Sequence, residues 1–127
     1  MVRYVGVWRD RVIQQWVEAL AVLKEAVGSA TLYTVEKGPG GGLCGGRITE
    51  IVVRCNANQE PEYVDFRCTP FNHGKDRVFS GIGCSTEHCS IQYREEGIWE
   101  INLPMCGTAI VGLPGHDTRA YEIAWWS

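Results

Sequence analysis

Six cysteines, at positions 44, 55, 68, 84, 89 and 106, constrain this chain of 127 residues more than any other feature. All of them follow residue 43, so the N-terminal third must pack without covalent help. No Cys-x2-Cys pair occurs, and structural zinc sites are usually built from two such tight pairs. Only Cys84, His88 and Cys89 approach a ligand cluster, so no metal and no cofactor is expected. An even cysteine count in a short chain points instead to three disulfides and an oxidising, extracellular habitat. Reduced thiols in a cytosolic protein are the competing reading. The segment Met1 to Trp8 has no apolar run and no small-residue cleavage site, so secretion carries the further expectation of a leader outside this sequence.

Residues 10–27 carry the clearest periodicity. Val12, Ile13, Trp16, Val17, Leu20, Leu23 and Val27 follow helical spacing, with Arg11, Gln14, Gln15, Glu18 and Glu25 opposite. Asp10 is the expected N-cap and Gly28 the left-handed stop. The polar face lacks the Lys/Arg excess of a membrane-surface helix, so core packing is expected. No apolar run approaches the ~20 residues that span a bilayer.

The remainder reads as short strands. Residues 30–36 form the first, and the glycine-rich stretch 37–46 is expected to be a rim loop pinned by Cys44, since glycine weakens helices and strands alike. It ends in Gly45-Gly46-Arg47 and lacks the Lys-Ser/Thr of a phosphate loop. Residues 48–55 and 63–68 alternate as a hairpin, with Thr49, Ile51, Val53 and Cys55 on one face of the first strand and Val64, Phe66 and Cys68 facing inward on the second. Asn56 to Pro61 supplies the turn.

Arithmetic then registers residues 77–84 against 88–94. A four-residue loop places Cys84 opposite Cys89, Ile82 opposite Ile91 and Ser80 opposite Tyr93, and a one-residue slip would scatter the apolar set. Cβ atoms so placed lie ~4.5–5.5 Å apart, which makes Cys84–Cys89 the favoured disulfide. A loop at Glu95-Glu96-Gly97 likewise sets Tyr93 opposite Trp99 and Ile91 opposite Ile101, with Gly97 left-handed. Pro104 ends this meander, and residues 108–111 and 120–126 are two further strands. Pairing of the other four cysteines stays open. Closing the 84–89 loop removes about 2 kcal/mol of unfolded-state entropy, against about 4 for a 44–106 bridge. The expected fold is therefore α+β: a single domain over residues 1–127, with one N-terminal amphipathic helix packed on a twisted antiparallel sheet of short strands, cross-linked by disulfides. An all-β barrel or sandwich with an appended helix is the runner-up.

Chemistry is sparse. The charge of −3 rules out a strong grip on nucleic acid except as a nuclease substrate. Ser80 lacks a Gly-x-Ser-x-Gly elbow. A small nuclease needs a His with a carboxylate or a second His as acid and base, plus a cation for phosphate. Glu87, His88, His116 and Arg119 are the residues with those types. The stronger signal is aromatic, with five Trp and five Tyr. Trp125 and Trp126 are adjacent in an expected strand, so their side chains point to opposite faces, and with Tyr63 they are the candidate binding aromatics. Arg54, Arg67, Lys75 and Arg77 are expected to form mixed pairs with Glu50, Asp65 and Glu100 on the outer face. The function expected is that of a small secreted cysteine-rich binding protein, effector- or toxin-like, that recognises a host or competitor protein or glycan through exposed loops. A secreted ribonuclease is the alternative, and enzymatic activity is the lesser expectation.

Overall fold

The structure, a computed structural model, describes residues 2–35, 43–70, 80–104 and 107–114. Helix α1 (Val2–Leu23) comes first, followed by a short 3-10 turn at Lys24–Ala26. Seven strands follow: β1 (Thr31–Val35), β2 (Leu43–Cys55), β3 (Pro61–Pro70), β4 (Gly81–Ser85), β5 (Ser90–Glu95), β6 (Ile98–Leu103) and β7 (Gly107–Gly112). They form one sheet in the order β4-β3-β2-β1-β7-β6-β5, with every pair antiparallel. The arrangement is α+β.

The helix begins eight residues earlier than its apolar periodicity predicts. Residues 2–9 contain no proline and a single glycine, so nothing breaks the helix there. Asp10 consequently lies within α1, exposed, and is not its cap. Gly28 does adopt the left-handed conformation, at φ 97°, just past the 3-10 turn. Its N–H donates to Ile48 O at 2.8 Å, tying the end of the helical segment to β2.

The glycine-rich stretch is not a loop throughout as predicted, because its last four residues, from Leu43 on, belong to β2, which runs between β1 and β3. Gly45 and Gly46 are strand residues for a steric reason. A Cβ on Gly45 would strike the Tyr33 ring, and one on Gly46 would meet Thr69 O and Cys68 Cβ. Here glycine admits a close neighbour instead of breaking the strand. The expected β2–β3 hairpin forms, with Val53 opposite Val64 and Ile51 opposite Phe66, but a register shift between Arg54 and Cys55 leaves Cys55 exposed where the alternation put it on the same face as Ile51 and Val53. An irregularity between Ile48 and Glu50 leaves Thr49 exposed and allows both Ile48 and Ile51 to pack inward.

The β5–β6 register matches the arithmetic, with Tyr93 opposite Trp99 and Ile91 opposite Ile101. Gly97 has φ 79°. The β4–β5 pairing does not occur. β4 pairs with β3, setting Cys84 opposite Val64 and Ile82 opposite Phe66, while β5 pairs with β6. Alternation fixes which face a residue takes, not which strand lies beside it. Cys84, Ile82, Cys89 and Ile91 all reach the same core, as expected, from opposite edges of the sheet. The predicted strand at 120–126 and the start of the one predicted at 77–84 lie outside the described residues.

The expected cross-links are not present as bonds: Cys55, Cys68, Cys84 and Cys89 are not in disulfides. The Cys44 side chain and Cys106 lie outside the described residues.

Consecutive strands at opposite edges force the sheet to curl. Laid flat, seven strands would separate β4 from β5 by ~29 Å. Yet Cys89 N donates to Ser85 O at 2.8 Å across the β4–β5 turn. The sheet is therefore a ring of neighbours with one open seam. α1 lies within that curve and contacts both β5 and β3. Trp16, Leu23, Leu32, Ile48, Phe66, Ile91 and Ile101 are fully or almost fully buried in one contiguous cluster drawn from the helix and every strand. The Trp16 indole N–H donates to Cys89 O at 2.9 Å, anchoring the helix beside the seam. Among the described residues no helix is long and apolar enough to cross a membrane.

Replacing Trp16 with Phe removes ring volume from a filled core and leaves Cys89 O without that donor. Urea unfolding of Trp16→Phe should show a loss of about 2–3 kcal/mol with an unchanged slope.

Candidate functional site

A cleft of about 320 Å³ opens where the middle of α1 meets the ends of β2, β3 and β4. Val12 and Ile13 supply an apolar wall. Apart from Pro61, the other walls are polar: Arg54 and Asn56 from the end of β2, Glu62 and Tyr63 from the start of β3, and Ser85, Thr86 and Glu87 from the β4–β5 turn. Its volume lies at the small end of the range for ligand pockets.

Strand register explains how these side chains meet. Tyr63 is opposite Arg54 on one side and Ser85 on the other. The Arg54 guanidinium lies 5.3 Å from the centroid of the Tyr63 ring, a cation–π geometry. The Tyr63 hydroxyl passes over Gly83, where a Cβ would collide with it. This ring is thus held on two sides and still 37% exposed.

The β4–β5 turn is secured by hydrogen bonds to the opposite wall. The buried Thr86 hydroxyl lies 2.8 Å from Pro61 O and 3.2 Å from Glu62 O, and Thr86 N donates to Glu62 O at 3.1 Å. His88 N and Cys89 N both donate to Ser85 O. The Asn56 carboxamide organises the neighbouring β2–β3 turn, accepting from Asn58 N and Glu60 N and donating to Glu60 Oε1. One guanidinium and two carboxylates line the cleft, so its charge balance favours ligands rich in hydrogen-bond donors.

Of the residues singled out from the sequence, the cleft brings together Tyr63 and Glu87. His88 is exposed on the same turn and does not line the cleft. His116, Arg119, Trp125 and Trp126 lie outside the described residues, as does most of the proposed rim loop. Arg54, Asn56, Glu62, Ser85 and Thr86 were not legible as site residues. The Arg54–Tyr63 pairing follows from the hairpin register, but the approach of residues 85–87 depends on β4 lying beside β3.

Of the four cations expected in mixed pairs, Arg67 forms them, Arg54 lies over the Tyr63 ring instead, and Lys75 and Arg77 lie outside the described residues, while Glu100 pairs with Arg94, a cation not foreseen. Arg67 bridges Glu50 at 3.3 Å and Asp65 at 3.4 Å, and Arg94 meets Glu100 at 2.8 Å. These groups are largely exposed and contribute little to stability. Among the described residues no group of three or more His, Cys, Asp or Glu is placed to hold a metal ion.

The thiols differ sharply. Burial lifts Cys68 to about 11, and the Asp65 carboxylate pushes the same way. Burial also drives Cys84 far above the ordinary thiol range; the charge of a neighbouring Cys89 thiolate, a hydrogen bond with the Cys89 side chain and Asp65 add to it. Cys55, by contrast, is exposed.

Two outcomes follow from these contacts. Thr86→Val keeps the shape and deletes the hydroxyl donor, so it should cost about 1–2 kcal/mol in urea unfolding and speed amide exchange at Glu87. For Cys68, the raised folded pKa means the neutral thiol is favoured by folding. Its contribution is complete below pH 9 and is lost as pH rises towards about 11. Alkaline unfolding of Cys68→Ala should therefore show a shallower decline across that window, and iodoacetamide at pH 8 should label Cys55 well before Cys68.

Compared with known proteins, the chain matches no family model, no curated protein and no solved structure at a significant level.

Proposed function

We propose that this protein is a small binding domain whose contact surface is the cleft between α1 and the β2–β3–β4 strand ends, and that its ligand is a glycan. One observation carries the reading: a half-exposed, clamped aromatic ring, Tyr63, stands beside an amide, hydroxyls and two carboxylates. A sugar offers a ring face to an aromatic side chain and hydroxyl donors to such acceptors. Protein targets are the competing ligand class, with a basic side chain satisfying the same carboxylates.

The wider reading is of a secreted, effector- or toxin-like protein whose cysteines pair in an oxidising environment. Its support is the even cysteine count in a short chain. Intact mass of native protein with and without reductant tests it, since each bridge withholds two hydrogens. The ribonuclease alternative draws on one arrangement, the Glu87 carboxylate and the Arg54 cation in the same cleft.

A glycan array followed by titration calorimetry separates these readings. The wild type should bind a defined glycan, Tyr63→Ala and Glu87→Gln should each weaken it at least tenfold, and Glu25→Gln in the exposed 3-10 turn after α1, outside the cleft lining, should leave it unchanged. Binding confined to a protein or peptide ligand would replace the glycan assignment. RNA turnover lost in Glu87→Gln would replace the binding reading altogether.

A further inference from the structure

The two ends of the turn that walls the cleft are cysteines. Cys84 lies at the end of β4 and is fully buried, and Cys89 precedes β5 and is 8% exposed. Ser85, Thr86 and Glu87 between them face the cleft, while both cysteines belong to the core behind it. Cys89 N donates to Ser85 O at 2.8 Å, which folds the turn so that its ends meet. Both side chains enter the same buried cluster from the two ends of this folded turn, and Cys89 is near enough to bear on the titration of Cys84, so the two thiols are neighbours.

We propose that Cys84 and Cys89 are a redox clasp: their oxidation to a disulfide closes the open seam of the sheet at the β4–β5 turn and stiffens the cleft wall formed by Ser85, Thr86 and Glu87. The inference rests on the cleft being the contact surface only for its bearing on binding; the clasp itself needs no ligand.

The chemistry is thiol–disulfide exchange with a small-molecule disulfide such as oxidised glutathione. Cys89, the less buried, loses its proton and attacks one sulfur of glutathione disulfide, forming a mixed disulfide and expelling one glutathione thiolate. Cys84 then loses its proton and attacks the Cys89 sulfur, forming the Cys84–Cys89 bond and expelling the second glutathione. Two electrons pass from the cysteine pair to glutathione disulfide, and the two protons end on the two glutathione thiols. The second step is intramolecular, and the folded turn that brings the two cysteines together raises its effective concentration. Burial of Cys84 as a neutral thiol makes the exchange slow at neutral pH and faster in base.

The test uses the full chain in glutathione buffers of graded redox poise, with differential alkylation and peptide mass spectrometry. Under oxidising poise the Cys84–Cys89 linkage should form. Amide exchange at Thr86, Glu87 and His88 should then slow about tenfold against the reduced protein. Cys89→Ser should abolish this response and retain the reduced protein's exchange pattern, and Cys89→Ala serves as the second variant should the serine disturb the core. The inference is overturned if the pair stays alkylatable at oxidising poise, if Cys84 bonds a cysteine other than Cys89, or if the linkage forms while exchange in the turn does not change. Failure to find a glycan or protein ligand would overturn the binding reading and leave the clasp standing.

Discussion

A turn of four residues joins the two outermost strands of a seven-stranded sheet, and the rest of the molecule is arranged around that closure. Because β4 and β5 are consecutive in the chain, their ends cannot separate, and the sheet between them has to curl. Curling creates a concave face that no strand can fill alone. α1 fills it, with Trp16 touching Phe66 on one side (ring centroids 6.4 Å apart) and donating to Cys89 O on the other. That single indole spans from β3 to the start of β5, so it registers the helix against both halves of the sheet. A buried carbonyl at the seam has no sheet partner beyond the edge, and an unpaired one costs on the order of 1–3 kcal/mol. The Trp16 hydrogen bond removes that penalty, and no buried side-chain nitrogen or oxygen among the described residues lacks a partner.

What could be read from the sequence was face, and what could not was neighbour. Tyr93 with Trp99 and Ile91 with Ile101 were legible because a tight loop and period-two alternation leave one register that keeps every apolar residue on one side. The same arithmetic applied to Cys84 and Cys89 gave the right proximity through the wrong mechanism. These residues approach across a folded turn at the seam, not across a ladder. Whether an edge strand pairs forward or backward depends on ring closure, which involves β1 meeting β7, a contact between Leu32 and Val111 far apart in the chain. Local spacing carries no trace of it. Gly45 and Gly46 misled for a related reason: their value lies in admitting Tyr33 and the β3 backbone, neighbours invisible until the strands are assembled. The cleft was half legible for the same cause. Tyr63 and Glu87 stood out by type, while Arg54 and Glu62 acquire their roles only from the β2–β3–β4 stack.

Closure also explains why the cleft lies where it does. At the open seam the ladder of backbone hydrogen bonds stops, so polar groups there must find other partners or face solvent. Thr86 answers by bonding back to Pro61 O and Glu62 O, which draws the turn over the start of β3. The side chains flanking that contact, Glu62, Tyr63, Ser85 and Glu87, are thereby gathered around a space that the helix roofs with Val12 and Ile13. A concavity lined by polar side chains is thus a by-product of a sheet that almost closes.

The energetics of sulfur then decide which role suits Cys84 and Cys89. A bridge across so short a loop removes only about 2 kcal/mol of unfolded-state entropy, less than the burial of one large core side chain can contribute. It cannot be what holds the fold, which already has a continuous core without it. Its effect is instead concentrated on the residues between the two sulfurs, of which Ser85, Thr86 and Glu87 face the cleft. Global stability and local stiffness are separate quantities, because a turn can open on its own while the core stays shut. A bond that adds little to the first and acts directly on the second belongs to the site, and its position behind Ser85, Thr86 and Glu87 follows from the same closure that forced the sheet to curl.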